Sequence, residues 1–148
     1  MLVNKENITE LIPQRPPILM IDSLLDQSQE HSETSFEVLD SNMFVRDGEL
    51  QESGIIENIA QTAAAGAGYY YKTHNETPPL GFIGAVSKVK IDRYPKVGEV
   101  LRTRVEIRNE VFQVSLVKAY TFVGDEQLAE CEMKIVIDDP RKAQVSAK

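Results

Sequence analysis

The stretch SGIIENIAQTAAAGAGYYY, residues 53–71, decides how the chain is built. Ile55, Ile56, Ile59, Ala60, Ala63, Ala64 and Ala67 recur at intervals of three and four residues, the spacing that lines up one side of an α-helix. The run predicts one long helix. It is rich in small residues (AAAGAG, 63–68), which let neighbouring backbone come close, and a helix apolar most of the way round is buried rather than laid on a surface. Glu57 is the one acid inside this run.

Upstream, Asn4 to Ile12 predicts a short helix that ends at Pro13 and the Arg15-Pro16-Pro17 stretch, because proline and the residue before it resist helical geometry. Ile18–Leu25 and Ser35–Leu39 read as two strands separated by the polar turn DQSQEHS. Downstream of Thr77-Pro78-Pro79, four long strand-like segments follow: Gly81–Arg93, Val100–Arg108, Val111–Val123 and Gln127–Ile137. Val123-Gly124-Asp125-Glu126 supplies a tight turn between the last two. Two strands, one buried helix and four mostly antiparallel strands make an α+β layout, with the helix wrapped by a curved sheet.

The 148 residues, 42% hydrophobic and 26% charged, are those of a single globular domain with a loose tail at about 139–148. A net charge of -7 argues against nucleic acid, which demands a basic face. No run reaches the ~20 apolar residues of a membrane span, and the N-terminus lacks a basic start leading into an apolar stretch, so a cytoplasmic location is expected. The lone Cys131 alternates with Ala129 and Met133 on one strand face, the pattern of a packed core thiol. One cysteine and two histidines are too few for a zinc site, and no metal or cofactor is expected.

Three blocks carry a family likeness: LIPQRPPILMID (11–22), IIENIAQ (55–61) and FIGAVSKVKIDRYPKVGEVL (82–101). Together they resemble the hotdog-fold (3R)-3-hydroxyacyl-[acyl-carrier-protein] dehydratases over roughly residues 7–137. Within that family the chain looks most like a divergent branch associated with aryl-polyene-type biosynthesis clusters, on the strength of the Arg15-Pro16-Pro17 block and the motif-poor segment before the helix. The resemblance implies a homodimer or higher oligomer whose sheets join side by side. It also implies an acyl chain, tethered as a thioester to acyl carrier protein or CoA, lying in a tunnel along the dimer interface.

In such enzymes a loop histidine removes the proton alpha to the thioester, and a helix acid from the other subunit helps the hydroxyl leave. Glu57 occupies the acid's position, whereas the histidine's position is Met43, in Asn42-Met43-Phe44. Neither His31, expected in the polar turn, nor His74, past the helix end, matches it, and Gln14 stands where the first block has its own histidine. The resemblance further implies that Asn42, Met43, Phe44, Ser53, Gly54, Gln61 and Gly84 line the substrate site, with the amides of Ser53 and Gly54 facing the thioester oxygen.

A general base is worth ~10²–10⁴ in rate, and methionine cannot supply one. Either Glu57 performs both proton transfers, or a paralogous hotdog subunit brings a histidine in a mixed dimer. Two other functions fit a lone acid: a hotdog thioesterase working through Glu57, and a subunit that binds acyl carriers without turnover. A carboxylate early in a helix is also favoured by the helix dipole alone, and Gln61 stands one turn on, where it can hydrogen-bond Glu57. Lys88, Lys90, Arg93 and Lys96 outnumber Asp92 between residues 88 and 96, and alternation puts Lys88, Lys90 and Asp92 opposite Val89 and Ile91. This is a candidate docking patch for an anionic carrier, with solvated strand charges as the plainer reading. Of Tyr69, Tyr70 and Tyr71, at least one ring is expected to pack under the sheet.

Overall fold

A computed structural model describes residues 1–138, so the tail expected at 139–148 lies outside the described residues. Strands β1 (Ser23–Gln27) and β2 (His31–Glu37) are followed by a small hairpin of β3 (Val45–Arg46) and β4 (Glu49–Leu50). Helix α1 (Glu52–Thr73) comes next, then β5 (Leu80–Ile91), β6 (Val100–Val111), β7 (Val114–Val123) and β8 (Glu126–Asp138). Six strands form one antiparallel sheet in the order β1-β2-β6-β7-β8-β5, with α1 packed on one face. This is the expected α+β arrangement.

Alternation explains the sheet. Along β6, Leu101, Thr103 and Val105 are buried while Arg102, Arg104 and Glu106 face outward, and β7 buries Val117 and Ala119 on the same side. These inward residues meet Ile55 and Ile59 of α1. Each Leu, Val or Ile side chain among them, fully buried, contributes roughly 1.5–3 kcal/mol. Cys131 lies in this core with Ala129 and Met133, and burial pushes its thiol up to about 11. A second cluster joins Ile8, Leu11, Ile12, Ile21 and Leu24 to Ala65, with Tyr69 packed against it.

The small residues of α1 do what their size predicts. A Cβ on Gly66 would stand 2.6 Å from Ser32 Cβ, and a Cβ on Gly68 would run into the carbonyl of Leu11. The helix therefore presses directly on β2 and on the N-terminal segment. Glu52 in its first turn and Lys72 in its last oppose the helix dipole.

Several expectations change. Asn4–Ile12 is no helix but a single 3-10 turn at Ile8–Glu10: Asn7 N–H turns back to Asn4, and the chain ahead runs extended so that Val3 pairs with Leu24. The first strand begins at Ser23 rather than Ile18, because the main chain at Ile18 and Met20 bonds to helix side chains instead. The second strand starts earlier, so His31 opens β2 and is not a turn residue. The β3–β4 hairpin was not expected, although Asp47-Gly48, both at positive φ (53° and 79°), is a strong hairpin signal.

The two edges of the sheet differ. Beside β1, Leu2 and Val3 donate to the Leu24 carbonyl and Val3 accepts from Leu24 N–H. At the other edge, Leu80, Phe82, Ile83, Val86 and Val89 of β5 are all exposed. Among the described residues no helix is long and apolar enough to cross a membrane.

Candidate functional site

Glu57 sits half-buried in the second turn of α1. Its Oε1 accepts a hydrogen bond from Gln61 Nε2 at 2.8 Å. Gln61 is itself buried and fixed at both ends: its Oε1 accepts from Met20 N–H at 2.6 Å, and its Nε2 also donates to the Ile18 carbonyl at 2.8 Å. A backbone N–H can only donate, so the amide oxygen must face Met20 and the NH₂ must face Glu57. A proton carried by Glu57 therefore resides on Oε2, since Oε1 already meets an N–H.

Asn58, fully buried, holds the other side of the same residue. Its Nδ2 donates to the Met20 carbonyl at 2.7 Å and its Oδ1 accepts from Thr103 Oγ1 at 2.6 Å. Thr62 bonds Thr34 at 2.7 Å and the Asn58 carbonyl at 2.8 Å, and Ser32 donates to the Thr62 carbonyl at 2.9 Å. This polar seam fixes the rotation of α1 against β2 and β6, and thereby the direction in which Glu57 points. Sequence reading passed over it. The available signals were Asn58 between Ile56 and Ile59, and Thr103 at an inward position of β6.

The loop ahead of α1 reaches the same end of the helix. Asn42 Oδ1 accepts from Phe44 N–H at 2.9 Å, and Asn42 Nδ2 lies 3.2 Å from Met20 Sδ. Phe44 packs over Gly54, where a Cβ would stand 2.7 Å from Phe44 Cβ and 2.6 Å from Leu50 Cδ1. Met43 is 55% exposed. Ser53 is exposed, and Gly54 N–H already donates to the Gln51 carbonyl at 3.0 Å. Asn42, Met43, Phe44, Ser53, Gly54, Glu57 and Gln61 thus gather around the first half of α1.

Gly84 stands apart, at a bulge in β5 where Ile83↔Ile135 pairing gives way to Ala85↔Lys134. A Cβ there would meet Val136.

Neither histidine reaches Glu57. His31 lies on the outward side of the sheet, its Nε2 2.8 Å from Asp26 and its Nδ1 2.9 Å from Ser28, and this contact holds the Asp26 carboxyl below its usual range. His74 follows Glu57 by seventeen residues, about 25 Å along the helix axis, and stacks on Tyr70 at 4.2 Å.

The basic segment is more engaged than its charges suggest. Strand alternation does not run through it, because Lys88 has φ +53° and a bulge separates Ser87↔Glu132 from Lys90↔Glu130. Lys88 pairs with Glu132 at 3.1 Å. Arg93 spends its fork on Glu99 and Glu126, leaving Lys90 and Lys96 exposed.

Known proteins share this fold. A family model described as ApeP dehydratase, of the ApeP-like family, matches residues 6–146. The 3-hydroxyacyl-[acyl-carrier-protein] dehydratase FabZ of Natranaerobius thermophilus is 27% identical over 133 residues, 88% of this chain and 94% of that protein. FabZ of Clostridium kluyveri is 26% identical, covering 90% and 95%. In three dimensions, a chain of the dehydratase heterocomplex ApeI:P from Xenorhabdus doucetiae superposes with a TM-score of 0.82 at 17% identity, over 95% of this chain and 97% of that one. A hypothetical thioesterase with coenzyme A from Streptococcus pneumoniae gives 0.64 at 9% identity, over 78% and 84%. The architecture is therefore the hotdog fold. With a family model spanning residues 6–146, nearly the whole sequence, the chain belongs to the ApeP-like dehydratases.

Proposed function

We propose that this chain is one subunit of a 3-hydroxyacyl-thioester dehydratase in which Glu57 is the acid and a second hotdog subunit provides the base. The observation that carries the reading is the Gln61–Glu57 bond, anchored on Met20. It holds one carboxyl oxygen and leaves the other to work. Dehydration breaks the C–H alpha to the thioester and the C–O of the neighbouring hydroxyl. The base takes the alpha proton, the carbon electron pair becomes the new double bond, and Glu57 Oε2 passes its proton to the departing hydroxyl, which leaves as water.

Met43 cannot be that base, and His31 and His74 stand away from Glu57. A homodimer would set a second Met43, not a histidine, at the base's position; a paralogous hotdog subunit with a histidine at that position completes the set. Two things support pairing. The β5 edge is long, bare and apolar, the type of edge that proteins otherwise cover. The Xenorhabdus doucetiae chain of like fold is part of a two-protein dehydratase complex. The acyl group then lies between subunits along α1, delivered by acyl carrier protein or CoA, with Lys90 and Lys96 the cations open to an anionic carrier.

The test incubates the chain alone, and together with a histidine-bearing paralogue, with 3-hydroxyacyl-carrier protein, and follows loss of water by mass spectrometry. Enoyl product is expected from the mixture and to be lost when this chain carries Glu57→Gln. Equal product from the chain alone removes the borrowed base. Free carrier thiol in place of enoyl product makes the protein a thioesterase.

A further inference from the structure

The outward face of the sheet is divided in two. Toward β2 and the middle of the sheet it is ionic, with Glu33, Arg104, Glu106, Lys118 and Glu130 all paired. At the end carrying the β6–β7 turn it is apolar. Val111 pairs with Val114, Val114 with Val136, and Val136 with Phe82, so one row of side chains crosses four strands on a single face. All four are exposed, and Phe112 beside them, at the tip of the turn, is 85% exposed. Phe112 also has φ +56°, a left-handed backbone that favours glycine and makes a bulky aromatic residue an outlier. A strained residue displaying a bare ring points outward to a partner rather than inward to the core.

We infer that this row is a two-fold contact between two copies of this chain. The open apolar surface of the five side chains is on the order of 500 Å², at the upper end of what lone chains leave bare. It is enough for the core of a standard interface, whose polar rim supplies the rest. The rim suits a copy of the same chain: Lys134 on one side of Val136 and Asp138 on the other share its face and have no ion-pair partner among the described residues. A two-fold axis through the row sets the lysine of each copy against the aspartate of the other. The row touches β5 only at Phe82; its other end, at Val111 and Phe112, stands away from the proposed dehydratase pairing. Val111 lies three strand spacings from β5, about 14 Å.

Sedimentation velocity on the full chain tests it, with Phe112→Gly and Phe112→Asn as variants. Both residues tolerate the left-handed backbone, so the thermal midpoint holds or rises while the ring is lost. The expected result is a twofold lower particle mass in both variants: from four chains to two if β5 also pairs, and from two to one if it does not. Phe112 is not on β5, so self-pairing along β5 and the face contact fail separately. An unchanged mass in both variants, or a wild-type protein that sediments as one chain, overturns the contact. Unchanged mass with lost binding of acyl carrier protein assigns the surface to the carrier and overturns it equally.

Discussion

Arg93 grips Glu99 with two parallel hydrogen bonds, Nη1 to Oε1 at 2.8 Å and Nη2 to Oε2 at 2.9 Å, and reaches across to Glu126 with Nε at 3.0 Å. Glu99 Oε1 also accepts from Lys96 N–H at 2.7 Å. One guanidinium thereby ties the end of β5 to the turn before β6 and to the β7–β8 turn. Bidentate pairs of this type are stronger than ordinary surface ion pairs.

The Arg93 guanidinium lowers the Glu99 carboxyl from its ordinary 4.5 to about 2. A carboxyl lowered in the folded state adds stability that is complete above its unfolded value and disappears as pH falls toward the folded one. Glu99→Gln is therefore expected to lower stability at neutral pH by about 1–2 kcal/mol and to flatten the fall between roughly pH 4.5 and 2. Urea titrations at stepped pH check this. Parallel curves for variant and wild type across that window would contradict it.

Glu57→Gln removes the only acid in the α1 cluster while keeping a group that Gln61 can bond. Enoyl formation in the mixed complex is expected to fall by ~10²–10⁴, with little change in melting temperature. Gln61→Met disturbs more, since Met20 N–H and the Ile18 carbonyl both lose their partner. That variant is expected to lose both activity and about 1–3 kcal/mol of stability. Kinetics and thermal melts on the two proteins separate the effects.

Asn58 and Thr103 share a 2.6 Å bond wholly inside the core. Asn58→Ala and Thr103→Val should each cost about 1–3 kcal/mol by leaving a buried partner unpaired. The double variant should cost less than their sum, with a coupling of ~0.5–3 kcal/mol. Strict additivity in a double-mutant cycle would remove the seam as a unit.

Gly68→Ala sets two effects in opposition. Alanine favours a helix by about 1 kcal/mol over glycine, but here the new methyl meets the Leu11 carbonyl. Overpacking of this kind costs about 1–3 kcal/mol and has no flexible side chain to absorb it. A lower melting temperature and faster proteolysis ahead of Ile12 are expected; a higher melting temperature would show that the N-terminal segment yields easily.

Much of the fold is legible from periodicity. α1 and the four long strands are where three-to-four and two-residue spacings predict them, because burial on one face enforces those spacings. Local devices defeat the same reading. The 18–20 segment looks like a strand, yet Asn58 and Gln61 take up hydrogen bonds that a neighbouring strand would otherwise receive. The extra residue at Lys88–Val89 cancels the alternation that the sequence pattern predicts for residues 88–92. Glu57 stands out in the sequence as the acid inside the helical run. Its anchoring by Gln61 was legible only as a possible i,i+4 bond, and the part played by Met20 was not, because contacts across some forty residues leave no trace in local pattern.

The backbone of Leu2 and Val3 closes off the start of β1 while β5 stays bare. Addition of strands to this sheet thus has one permitted direction. Two chains that meet along β5 use up each other's free side and present only blunted ends to the next arrival, so lateral growth terminates at a pair instead of running on into a fibre.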